Sequence, residues 1–255
     1  SSTIDVSSSS NGVGVYSKGV YRGGAATITD NGSNITIGAA GIGVYSEGAE
    51  INATGGTITS INNSTAQGIF TDSNVNSFKN ITLLGDKSIG IHNYGVNSMY
   101  STGYVTITNS GTITLGDSAN INDPSIGIYT KYGDVNHYGT INGGLRTLGV
   151  LSETDRSVNI DNNGTITLDD EGIGVYKKQG VVTLGANSNI TVGNSGIGVV
   201  GDDNVSIVNN STNINIGDSS FGFAILGTGT NNYTSSTGSN INMGSGSVYL
   251  YKEGT

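Results

Sequence analysis

The chain contains no cysteine and no tryptophan, a single proline, and only 10 lysines and arginines in 255 residues. Each shortage removes a class of protein. Without cysteine there is no disulfide framework and no thiolate zinc or redox motif. The few cations stand against 19 Asp and Glu, for a net charge of −9, too few to neutralise a run of phosphates, so nucleic acid is excluded as a partner. No apolar run approaches the roughly 18 residues of a membrane helix, so this segment is not expected to insert into a membrane. No basic or apolar leader opens the chain, and no targeting segment is expected in it. Charged residues are only 11% of the chain, roughly half the usual quarter.

Glycine fills much of the space that charge leaves, with 42 residues; with Ser, Thr and Asn it makes up about half the chain. That composition would suit a flexible linker, but branched aliphatics recur in short alternating runs, which a disordered tract does not maintain. One motif is an aliphatic, a Gly and an aliphatic, often followed by an aromatic. It appears as Val13-Gly14-Val15-Tyr16, Ile42-Gly43-Val44-Tyr45, Gln67-Gly68-Ile69-Phe70 and Ile89-Gly90-Ile91-His92. It continues from Ile126-Gly127-Ile128-Tyr129 to Phe221-Gly222-Phe223-Ala224, with a degraded tenth copy near Ser247-Val248-Tyr249. The intervals between copies are 29, 25, 22, 37, 22, 25, 24, 24 and 25 residues. A second motif, such as Asn34-Ile35-Thr36-Ile37 or Thr165-Ile166-Thr167-Leu168, precedes most of these, and a weaker third run such as Val182-Thr183-Leu184 lies between.

Every run alternates with period two, and none shows the 3.6 period of a helix. Three short strands in roughly 24 residues describe one coil of a β-solenoid. The fold class predicted is therefore all-β: a right-handed parallel β-helix of about ten coils with three strands per coil, forming one segment over residues 1–255. Stacked at about 4.8 Å, the coils make a rod roughly 45–50 Å long. The aliphatics on both sides of each motif glycine (Val13 and Val15, Ile42 and Val44, Ile173 and Val175, Ile197 and Val199) are expected to point inward. Gly and Asn are expected to supply the left-handed backbone of the corners.

The 37-residue interval is the largest irregularity. It accommodates two insertions, residues 94–104 and 117–125, the second holding Pro124, within an insertion-rich region at about 92–138. Both histidines, His92 and His137, fall in this region, as do Tyr94, Tyr100, Tyr104, Tyr129, Tyr132 and Tyr138. Loops on a rigid scaffold often carry function, and tyrosine offers a large contact area at low entropy cost. These six tyrosines are the candidate ligand-binding residues; the plainer reading is that they cover the flanks of protruding loops. A second candidate is an outward aromatic ladder two residues after each motif glycine: Tyr16, Tyr45, Phe70, His92, Tyr129, Tyr176 and Tyr249. Such a ladder stabilises the stack and offers a strip on which sugars could stack.

Catalytic patterns are scarce. The dense carboxylates are Asp169-Asp170-Glu171, with Lys177 and Lys178 nearby, and Asp202-Asp203. They fall at expected corners, where acidic residues are ordinarily solvated. No catalytic residue, metal site or cofactor is assigned, and the chain is read as a non-enzyme. Thr-x-Thr runs such as Thr112-Ile113-Thr114 could form ice-binding ranks, but they alternate with Asn-x-Thr and Asn-x-Asn in coils of unequal length.

With its reiterated Ile-Gly-Val-Tyr and Asn/Thr-Ile-Thr-Ile-Gly copies, nearly the whole chain resembles a passenger-domain segment of a bacterial type V autotransporter adhesin, most like the large autotransporters of fusobacterial outer membranes. The resemblance implies a right-handed β-helix displayed at the cell surface, anchored through the outer membrane or secreted. It implies adhesion to a host-cell or bacterial surface protein or glycan, and attachment to the rest of a parent autotransporter. The missing cysteine suits threading through a pore. The chain carries neither a signal peptide nor a membrane barrel, which makes it an expected excised piece, and no functional residue transfers from the family. The function expected is an adhesin stalk and interaction scaffold; the alternative is a polysaccharide-active, lyase- or hydrolase-like β-helix.

Overall fold

A computed structural model describes residues 2–19, 26–61, 65–95, 104–161, 163–210 and 212–253. Those residues form 29 strands and no helix. The strands recur in a fixed order of three, each joining a different parallel sheet, so the chain winds as a β-solenoid of about nine turns. The first sheet runs from Thr3–Val6 to Asn240–Met243 and the second from Val13–Lys18 to Val248–Lys252, each with ten strands; the third runs from Ala26–Asp30 to Asn232–Ser235 with nine.

Like stacks on like along the rod. In the first sheet Ile35, Ile58, Ile81, Ile113, Ile141, Ile166, Ile190 and Ile214 pair in unbroken succession, with Ile4 and Ile241 at the two ends. All eight inner members are essentially inaccessible to solvent. The second sheet adds Val44, Ile69, Ile91, Ile128, Val150, Val175, Val199 and Phe223, and the third adds Ile51, Val75, Ile107, Val135, Val158, Val182 and Ile207. Each such side chain contributes about 1.5–3 kcal/mol by leaving water. The period-two strands place these residues on one face, and the coil-to-coil backbone bonds hold the faces in register.

The outward face of the first sheet is equally regular. Asn34, Thr57 and Asn80 pair in one rank, and Thr36, Thr59 and Thr82 in the next. Both ranks continue through Thr112 and Thr114 despite the unequal coil lengths; most of the expected insertion at 94–104, residues 96–103, lies outside the described residues. The ranks bond to themselves along the rod: Thr57 Oγ1 donates to Asn34 Oδ1 (3.1 Å) and Asn242 Nδ2 to Asn215 Oδ1 (2.6 Å). Residues 117–125, with Pro124, lie between the strands Thr112–Leu115 and Ile126–Thr130, outside every ladder, as proline's missing N–H requires.

Three expectations need correction. First, only the aliphatic after each motif glycine faces the core. Val15, Val44, Val175 and Val199 belong to it or pack on it, whereas Val13, Ile42, Ile173 and Ile197 lie half-buried on the outer face. The glycine itself takes the second inward position. Pairing runs Ile126↔Leu148 and Ile128↔Val150 and passes over Gly127. A Cβ on Gly127 would lie 2.6 Å from the carbonyl oxygen of Gly149 and 2.9 Å from Ile141 Cγ2. The absence of a side chain, rather than backbone freedom, is what the motif glycine supplies.

Second, Tyr249 stands in the glycine register, not in the aromatic ladder; Tyr251 pairs with Ala224 in the ladder row. The Tyr249 ring packs edge-on to Phe223 at 5.7 Å and its hydroxyl bonds that of Tyr233, so the two tyrosines close over the last core residues. Third, Gly and Asn do supply many of the left-handed corners, as at Gly32, Gly56, Asn187 and Asn204, but before six of the second-sheet strands other residues take that conformation. Ala40, Lys87, Arg146, Glu171, Ser195 and Ser219 all have φ between 52° and 57°. Each such L-residue costs roughly 1–2 kcal/mol of local strain.

Two substitutions separate these roles. Gly127→Ala drives a methyl into the next coil and is expected to lower unfolding free energy by about 3 kcal/mol, while Ser195→Gly relieves a left-handed corner and is expected to raise it by about 1 kcal/mol. Val175→Asp, which buries a lone carboxylate, is expected to cost more than about 3 kcal/mol. Urea unfolding followed by circular dichroism measures all three, and an unchanged midpoint for Val175→Asp would refute the inward assignment.

Candidate binding surface

The five candidate tyrosines among the described residues separate onto different faces. Tyr94 and Tyr129 join the outer side of the second sheet. Tyr94 stacks on Phe70 (ring centroids 4.3 Å apart, planes 28°) and meets Tyr45 edge-on at 6.4 Å. Burial, with nearby Asp72, raises the pKa of its phenol well above the ordinary tyrosine value. Tyr129 packs against His92 at 4.8 Å, and burial with Glu153 pushes its phenol up to about 12. Tyr132 is exposed at the next corner with Lys131 Nζ 6.0 Å from its ring centroid. Tyr104 sits beside the third sheet, its ring 3.6 Å beneath the Arg156 guanidinium. Tyr138 is exposed at the corner leading back to the first sheet. Tyr100 lies outside the described residues.

The aromatic ladder is continuous over five coils. Ring centroids are 5.2 Å apart for Tyr16–Tyr45, 5.3 Å for Tyr45–Phe70, 4.9 Å for Phe70–His92 and 4.8 Å for His92–Tyr129. Leu151, Tyr176, Val200, Ala224 and Tyr251 prolong the row in register. Beside it runs the row of residues before each glycine, including Ile89, Ile126, Leu148, Ile173 and Ile197. The outer face of the second sheet is therefore apolar along two parallel rows. The sequence pattern concealed this, because a pairwise alternation assigns the pre-glycine aliphatics to the interior.

Polar members of this face satisfy one another. His92 Nδ1 bonds Gln67 Oε1 at 3.0 Å. Tyr45 Oη donates to Glu47 Oε1 (2.6 Å) and Tyr176 Oη to Asp202 Oδ2 (3.2 Å). Residues 117–125 stand beside this face. There a groove of about 430 Å³ is lined by Ile121, Pro124, Ile126, Tyr129, Leu148, Leu151, Ile173 and Tyr176, among others, with Lys87 and Asp123 at its lip. Lys87 Nζ and Asp123 Oδ2 are 2.6 Å apart.

The carboxylates and lysines singled out in the sequence serve as braces. Glu171 accepts from Arg146 Nε (2.8 Å) and Nη2 (3.0 Å), linking neighbouring corners, and Asp170 Oδ1 accepts from the Asn194 amide (2.7 Å). Lys177 turns inward, fully buried, and donates to Ser152 Oγ (2.8 Å) and Thr154 O (2.6 Å); burial depresses its ammonium to about 8. A second buried cation, Lys79, meets Asp30 Oδ2 at 2.8 Å and the carbonyl of Ser33 at 2.7 Å. Among the described residues no group of three or more His, Asp or Glu side chains is arranged to hold a metal ion. Comparison of the chain with family models, curated proteins and solved structures finds no match.

His137 is the second buried imidazole. Its Nε2–H donates to Thr165 O (3.1 Å) and its Nδ1 accepts from Asn109 Nδ2 (3.2 Å), an arrangement that requires the neutral ring. Burial pushes both His137 and His92 down to about 4. A base with a depressed folded pKa stabilises the fold fully above its unfolded value near 6.5 and loses that contribution as pH falls through the folded one. Stability is expected to decline between pH 6.5 and 4, by about 3 kcal/mol from His137 alone. Denaturation at intervals across that range measures it, and His137→Gln is expected to flatten the slope.

Proposed function

We propose that this chain is a cell-surface-displayed β-helical passenger segment, working as an adhesin stalk and interaction scaffold for host or bacterial surfaces. The observation that carries the reading is the apolar outer face of the second sheet, with its aromatic ladder, held on a rod whose interior is filled by aliphatic ladders. Such a rod suits display: it is extended, each coil is fastened to its neighbours, and the exposed face repeats contact chemistry along the axis. A half-buried aromatic row flanked by aliphatics on an outer sheet face suits an interaction surface. The lack of cysteine and the autotransporter-like repeat style support passage through a pore to the cell exterior. The carboxylate-rich corners, occupied as braces by Arg146 and Asn194, lend no support to a polysaccharide-cleaving role.

Beads coated with the protein are expected to bind host cells or other bacteria saturably, to be competed by soluble protein, and to lose at least half of that binding on Tyr94→Ser with unchanged melting. Binding no greater than that of albumin-coated beads would sink the proposal. So would turnover of an acidic glycan that Asp170→Asn abolishes.

A further inference from the structure

The groove beside residues 117–125 has a composition that narrows what it could hold. Its floor is aliphatic: Ile126 and Leu148 are 8% and 7% exposed, and Leu151 and Ile173 lie half-buried alongside. The floor strands Ile126–Thr130, Leu148–Ser152 and Ile173–Lys177 each pair with a neighbouring coil on both sides, so an extended peptide finds no open edge to join. The floor also offers no hydrogen-bonding side chain to a sugar. Polar groups come from the loop and the margins: Asn122 lines the loop side, Asp123 is held by Lys87 and Asp202 by Tyr176. An apolar core inside a charged rim is the anatomy of a protein–protein contact.

Two further features select the shape of the partner. The outward side chains recur every coil, about 4.8 Å apart, close to the 5.4 Å pitch at which an α-helix repeats one face. From Ile89 to Ile173 is three coil steps, about 14 Å, which matches two to three helical turns. Along the margin, the residues that follow each ladder strand alternate in sign: Lys131, Glu153, Lys178 and Asp202 occupy equivalent positions in successive coils. A helix carrying Glu and Lys at i and i+4 repeats opposite charge on nearly the same spacing.

We propose that this groove docks an amphipathic α-helix of a partner protein, aligned with the solenoid axis. Its aliphatic i, i+3/i+4, i+7 face lies on Ile126, Leu148, Leu151 and Ile173, and its flanking charges oppose the alternating margin. The proposal rests on the reading of the chain as a binding scaffold and names the partner class of one surface. Tyr129 and Tyr176 bracket the site two coils apart, and Ile121, exposed on the loop, closes over the helix from the side.

The probe is a phage-displayed library of 15-residue helical peptides, selected on the whole chain and measured by fluorescence anisotropy. Selected peptides are expected to share aliphatics at i, i+3/i+4 and i+7, and to bind Leu151→Glu and Ile121→Ser at least tenfold more weakly, while Thr183→Glu on the outer face of the third sheet changes nothing. Ile121 lies on the loop outside the ladders, so its variant keeps the test valid if Leu151→Glu melts early. Selected peptides that bind both groove variants undiminished would overturn the assignment, as would binding of an arrayed glycan that Leu151→Glu abolishes. Coated-bead adhesion, measured separately, distinguishes the two levels: adhesion without groove-dependent peptide binding defeats this inference and leaves the scaffold reading in place.

Discussion

Every other property of this molecule depends on the close parallel stacking of one coil on the next. Backbone amides of each strand donate to the coil beside it, and at about 4.8 Å there is no room for mismatch. The motif glycine marks the tightest point. At Gly127 the next coil's Gly149 carbonyl and the core isoleucine Ile141 occupy the place of a side chain. Repeating that approach in successive coils brings the aliphatic ladders into contact and leaves each coil dependent on its neighbours, since one coil alone cannot bury enough surface to offset the entropy of ordering it.

The same spacing governs polarity. Identical side chains face one another at every step, so a column of like charges would repel along its length. The outward ranks of the first sheet use Asn and Thr, which bond to themselves, as Asn242 does to Asn215. Where charges do stack, as in Lys131, Glu153, Lys178 and Asp202, the sign alternates. The interior tolerates polar groups only with partners: Lys79 with Asp30, Lys177 with Ser152 and Thr154, His137 with Asn109 and Thr165. A charged content of 11% is thus a consequence of stacking, not an oddity of composition.

A rod built this way separates stability from recognition. The aliphatic columns inside hold the shape, and the outer side of the second sheet is left to contact chemistry. Insertion at the corners adds relief without disturbing register, since residues 117–125 rise beside the ladder while Ile89 and Ile126 remain paired beneath them. The apolar face and its raised border come from two different parts of the repeat, one periodic and one irregular, and only their meeting forms a groove.

The three-strand coil, the parallel stacking, the placing of residues 117–125 between strands and most of the outward aromatic ladder were legible in the sequence, because period-two alternation and a repeat near 24 residues leave few other folds. The facing of Ile42, Ile173 and Ile197 was not, because the glycine between two aliphatics breaks the alternation, and that break exists only where the adjacent coil's carbonyl fills the space. Nor could the chain order place Tyr94, Tyr104, Tyr129, Tyr132 and Tyr138: neighbours within one insertion-rich stretch, they fall on separate faces because a solenoid turns a corner every few residues. Tyr249 took the glycine register at the end of the stack, where its ring covers the core instead of extending the ladder. Local pattern determines which residues form strands and in what order. Which face each side chain meets, and which distant residues share a surface, was decided by the coil lying next to it.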